Sequence, residues 1–131
     1  MRPPADGLPG YDADQPTDPA AWLACAPTDK LRLVVAFHAR QRLPSGGLKS
    51  HAALHVVLED RVARGEGPVV RALARLQQQG MARHDALHAM GDVLGSHLRL
   101  KDEALGTADA AGWQRRLNEA LEQLPTPAAR A

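Results

Sequence analysis

Apolar residues recur along the chain at helical spacing, and no stretch alternates as a half-buried strand would. A short helix is expected over Ala20–Cys25. Thr28 then has the character of an N-cap for a longer helix that carries Leu31, Val34, Val35 and His38 on one stripe. Pro44-Ser45-Gly46-Gly47 ends it. A second long helix is predicted from Lys49 to Ala63, with Leu54, Leu58 and Val62 on one side. Gly65-Glu66-Gly67-Pro68 reads as a turn, with Pro68 suited to a first helical position. The helix after it, Val69–Gln79, has the stripe Val69, Val70, Leu73 and Leu76 and is capped by Gly80. A fourth is predicted over Ala82–Leu100. The last, Ala108–Leu124, aligns Trp113, Leu117, Leu121 and Leu124, with Thr107 or Asp109 near its cap. The pattern predicts an all-α fold, a compact bundle of about four to five short helices.

The flanks read differently. Residues 1–17 hold four prolines, three aspartates and two glycines without apolar periodicity, and are expected to be a disordered N-terminal arm. Residues 125–131 are expected to be a flexible C-terminal tail, and residues 18–124 the helical domain.

Composition narrows the function classes. Sixteen Lys+Arg against fifteen Asp+Glu in 131 residues give a net charge of +1, which disfavours a nucleic-acid partner. A single cysteine, Cys25, permits no intramolecular disulfide and no cysteine-based zinc motif. No apolar run has the ~18–20 residues a membrane span needs, and the N-terminus has no secretory signal, so a cytoplasmic protein without membrane contact is expected. The chain carries no G-x-S-x-G elbow and no phosphate-binding loop.

Four of the six histidines form a pattern. His51-Ala-Ala-Leu-His55 is followed by Glu59, and His84-Asp-Ala-Leu-His88 by Asp92, with every matching position offset by 33 residues. At about 100° per residue, positions i, i+4 and i+8 stay within roughly 80° on a helix surface. Each helix thus offers two imidazoles and a carboxylate along one stripe, a donor set suited to a divalent metal ion, with zinc or iron favoured. Short turns on both sides of the intervening helix imply that the two histidine helices run parallel. His51, His55, Glu59, His84, His88 and Asp92 are therefore expected to converge on a metal, with Glu59 and Asp92 as oxygen ligands or as acceptors that orient the imidazoles. If a coordination position stayed open, Glu59 is the candidate general base. His38, on the stripe of its helix, is read as a packed residue in preference to a fifth ligand. His97 is expected to face elsewhere, and Trp22 and Trp113 to be core anchors. The alternative function is a non-catalytic interaction or oligomerisation module. Its histidines would be packed core residues, and its C-terminal amphipathic helix would dock a protein partner or form a homodimer.

The stretch from Ser50 to Leu98 resembles a family of small bacterial all-helical proteins of unknown function. Its carriers are His51-x3-His55-x3-Glu59 and the helix start Gly80-Met81-Ala82-Arg83-His84-Asp85-Ala86-Leu87-His88. The resemblance implies a helical fold and a bacterial, cytoplasmic origin, and transfers no activity. The order His38, His55-x3-Glu59, His84-x3-His88, His97-x4-Asp102 is similar to that of hemerythrin-like di-iron bundles. The spacing departs from theirs, because His88 and His97 fall on one predicted helix where that family separates them by a loop. The Glu-x-x-His pairs of ferritin-like bundles and the H-E-x-x-H of metalloproteases are absent.

Overall fold

A computed structural model of the chain describes the backbone of residues 10–40, 48–103 and 110–124, and the side chains of residues 10–40, 51–97 and 112–124. Six α-helices and no strand occur among the described residues. The chain divides into two compact units, residues 1–65 and 66–131.

The first unit holds α1 (Pro19–Ala24), α2 (Pro27–Arg40) and α3 (Leu48–Ala63), with both α1 and α2 packed on α3. Proline opens α1 and α2, where its fixed φ suits the first turn and its missing N–H costs no helical bond. The second helix therefore starts at Pro27, and Thr28 lies inside its first turn instead of capping it. Val34, Phe37, Ala52 and Leu58 are buried, whereas Leu31, on the predicted stripe, is 37% exposed.

The ordered chain begins earlier than expected. Residues 10–17, assigned from composition to a disordered arm, include Tyr11 and Ala13, which are buried at 4% and 0% exposure. Asp12 shapes the segment: its side chain accepts the Asp14 N–H and its carbonyl accepts the Gln15 N–H. Tyr11 fills the space between Trp22 and Phe37, each 5.6 Å away between ring centres, and Arg40 donates to its carbonyl at 2.8 Å. Composition reports the many polar residues of this segment, while one aromatic ring decides its placement.

A second tie joins the three helices. Asp60 Oδ1 on α3 accepts the indole N–H of Trp22 on α1 and the Lys30 ammonium on α2, each at 2.8 Å. Lys30 is only 6% exposed.

The second unit holds α4 (Gly67–Gln78), α5 (Arg83–Glu103) and α6 (Ala110–Glu122), each packed against the other two. Buried Val69, Ala72, Leu73 and Leu76 line one face of α4, and Val70, one residue off that stripe, is 38% exposed. Gly80 ends the helix at φ +96°: its N–H bonds to Gln77 O and the Met81 N–H reaches back to Leu76 O. Leu117, Leu121 and Leu124, the stripe the sequence offers to a partner, are buried at 0%, 1% and 7% exposure. Arg75 of α4 donates to the carbonyls of Leu121 and Leu124, each at 2.7 Å, and so satisfies the end of α6. Trp113 is half-buried and donates to His97 O at 2.8 Å.

The expected stop at Pro44–Gly47, the cap at Thr107 or Asp109 and the tail over 125–131 lie outside the described residues. No helix among the described residues is long and apolar enough to cross a membrane.

Candidate metal centre

Three histidines meet in the first unit. His38 comes from the last turn of α2, and His51 and His55 stand one turn apart on α3. The three ring centres are mutually 4.8 Å apart, in edge-to-face pairs at 87°, 70° and 69°. Each ring offers a nitrogen, and these nitrogens lie within 4.8 Å of one another. A metal with N bonds of about 2.0–2.1 Å sets tetrahedral donors roughly 3.3–3.4 Å apart. The three donors therefore lie close enough together to be candidate ligands of one ion. His38 and His55 are buried at 1% and 2% exposure, and His51 is half-buried.

The hydrogen bonds around the rings fix which nitrogen can bind. Nδ1 of His38 lies 2.8 Å from Val34 O. A carbonyl only accepts, so Nδ1 carries the proton and Nε2 keeps the lone pair. His55 is set by a longer chain. The Tyr11 hydroxyl donates to Glu59 Oε2 at 2.6 Å, and the same phenol oxygen lies 3.3 Å from His55 Nδ1. A phenol has one proton, and here it is donated in the hydrogen bond to the carboxylate. The face toward His55 is an acceptor, which again places the imidazole proton on Nδ1. In protein metal sites a ligating imidazole usually has its other nitrogen held by such an outer acceptor.

Glu59 therefore lies where the sequence expected it, on the stripe of His51 and His55, and is completely buried; its Oε2 is engaged by Tyr11. His38, read from the sequence as a packed residue, stands as close to the α3 pair as that pair's members stand to each other. Tyr11 joins the site from a segment whose composition does not point to it. Its one signal was being the chain's single tyrosine, in a segment otherwise of small and polar residues.

His84 and His88 come together in the second unit, one turn apart on α5, with ring centres 4.2 Å apart at 65°. Both are half-buried. Asp92 is exposed, and Arg83 in the first turn is 4% exposed. His97 turns its Nδ1 back to Val93 O at 2.9 Å.

Two further features of the first unit carry less chemistry. Tyr11 and Trp22 line a cavity of about 290 Å³ with Asp12, Asp18 and Leu33, just under the range of typical small-molecule pockets. Cys25 is half-buried, and burial followed by the nearby Asp29 carboxylate pushes its thiol above the ordinary value, away from nucleophilic use.

Comparison of the chain with family models, with curated proteins and with solved structures found no match. The chemistry of the site is accordingly argued from its own residues.

Proposed function

We propose that this chain is a metal-binding helical protein whose primary ligands are His38, His51 and His55, with zinc or iron as the ion. The observation that carries the reading is the mutual approach of three imidazoles to 4.8 Å in one unit, two of them with Nδ1 turned to an acceptor. Packed core histidines can satisfy their nitrogens separately, whereas joint ligation requires that the rings face one another. Neutral imidazole donors suit zinc and iron, and equally nickel and copper, so metal supply and geometry select among them. A bound ion would supply either a cross-link between α2 and α3 or Lewis acidity at an open coordination position.

His84 and His88 are the second donor pair of this reading, supported by the repeat of H-x-A-L-H at an offset of 33 residues. The sequence expectation that both motifs serve the same ion is tested by stoichiometry.

The experiment is elemental analysis of tag-free protein after gel filtration, alongside His38→Ala, His55→Ala and His84→Ala. The reading expects zinc or iron in stoichiometric amount, lost from the first two variants. One ion per chain, lost also from His84→Ala, bears out the shared-ion expectation. A wild type without metal, and without a change in melting temperature on chelation, refutes the proposal. The histidines would then be core residues of an interaction module.

A further inference from the structure

Behind His55 lies a polar chain that the metal reading does not itself require. Tyr11, from the segment before α1, donates its hydroxyl to Glu59 Oε2 at 2.6 Å and meets His55 Nδ1 at 3.3 Å. All three residues are buried, at 4%, 0% and 2% exposure for Tyr11, Glu59 and His55. The ring of Tyr11 rests on Trp22 and Phe37, and its backbone carbonyl accepts from Arg40, so the phenol oxygen sits at a fixed point. Glu59 and His55 are held one turn apart on α3. A donor–acceptor order runs through the set: imidazole Nδ1–H to phenol oxygen, phenol O–H to carboxylate.

We infer that Tyr11 and Glu59 are positioning residues of the metal centre: they hold His55 in the tautomer that offers Nε2 to the ion, and through the same contact the bound ion fastens residues 10–17 to α2 and α3. The inference rests on the metal-binding reading and adds a role for two residues that need not touch the ion. Their part is to fix ring orientation and raise the donor strength of the imidazole, an effect on metal affinity of about 10–100-fold in metal sites generally. Coupling of binding free energies is reciprocal. What the phenol contributes to metal affinity, the metal must return as firmer attachment of the segment that carries the phenol.

The test compares wild type, Tyr11→Phe, Glu59→Gln and the double variant in two measurements. Zinc affinity is read by competition with a chromophoric chelator, and backbone amide exchange over residues 12–17 is followed with and without zinc. Tyr11→Phe keeps the ring and its packing while removing only the hydroxyl, so the metal-free protein should melt close to wild type. The inference expects Tyr11→Phe and Glu59→Gln each to weaken zinc binding about 10–100-fold. The double variant should be little worse than the weaker single one, because the two act as one chain. Zinc should slow exchange over residues 12–17 in the wild type and not in Tyr11→Phe. Wild-type zinc affinity in Tyr11→Phe, or exchange over that segment indifferent to zinc in the wild type, overturns the inference while leaving the metal centre standing. A wild type that takes up no zinc overturns both, and is distinguished because the reference protein itself then gives no signal.

Discussion

Asp60→Ala is the substitution expected to cost the first unit most for the fewest atoms removed. Asp60 Oδ1 receives both the Trp22 indole N–H and the Lys30 ammonium at 2.8 Å. Its own side chain is 24% exposed and that of Lys30 7%. Removing the acceptor strands an indole N–H at roughly 1–3 kcal/mol and leaves a mostly buried ammonium unpaired. Breaking one partner of a fully buried ion pair costs about 3–5 kcal/mol. The partial exposure of Asp60 admits water as a substitute and lowers that, so the expected loss is about 3 kcal/mol. The ammonium also lies 5.6 Å from the centre of the Trp22 ring, a contact that holds the charge in place after the carboxylate is gone. Lys30→Met in the Asp60→Ala background removes the stranded charge while keeping the apolar stem, and should return more than 1 kcal/mol. Urea denaturation followed by far-UV circular dichroism, with tryptophan fluorescence reporting the Trp22 environment, measures each step. A loss under about 1 kcal/mol in Asp60→Ala, or a double variant less stable than it, would refute the assignment of this contact as the clasp of α1, α2 and α3.

Three further outcomes are expected. Gly80→Ala should destabilise the second unit by about 1–2 kcal/mol in thermal melts, because φ +96° strains any residue with a Cβ even though nothing lies within 4 Å of that carbon; an unchanged melting temperature would contradict this. Cys25, its thiol pushed upward by burial and then by Asp29, should alkylate with iodoacetamide at a rate still rising past about pH 8.5, the ordinary midpoint of a free thiol; a plateau below that pH would count against the buried setting. The Glu122 carboxyl is held below its ordinary value by the hydrogen bond from Arg71. Its lowered folded value means that the stabilisation is present above the ordinary carboxylate midpoint and lost as pH falls through the lowered one. Glu122→Gln should therefore differ from wild type in chemical denaturation at neutral pH and converge with it in acid.

Helix type and approximate extent were legible because periodicity, proline starts and glycine stops all bear on single segments. Gly80 ends α4 as its chemistry predicts, and Pro68 falls in the first turn at the second position, because the helix already begins at Gly67. Which helix packs on which was not legible, because helical stripes report which face is buried and not which neighbour buries it. The site shows the same boundary. His51 and His55 share a face by spacing alone, but the approach of His38 depends on how α2 lies against α3. The acid eight residues on from each first histidine has drifted by roughly 80° around the helix. At that same offset Asp92 is exposed, while Glu59 is enclosed and accepts from the Tyr11 hydroxyl. Tyr11 itself was hidden by averaging. A count over its segment registers prolines and aspartates, whereas burial is decided by one ring.

The bond from His38 Nδ1 to Val34 O closes within a single helix, four residues back. The ring's rotamer is thus selected by the backbone turn beneath it before any ligand arrives, and does not wait on a partner from another element. An imidazole held in this way surrenders little torsional freedom on capture of an ion, where freezing a mobile side chain costs about 0.5–1.5 kcal/mol. On the proposed metal-binding reading, part of the entropy of assembling a coordination sphere is already spent when α2 folds, and an ion would meet at least one donor that has stopped moving.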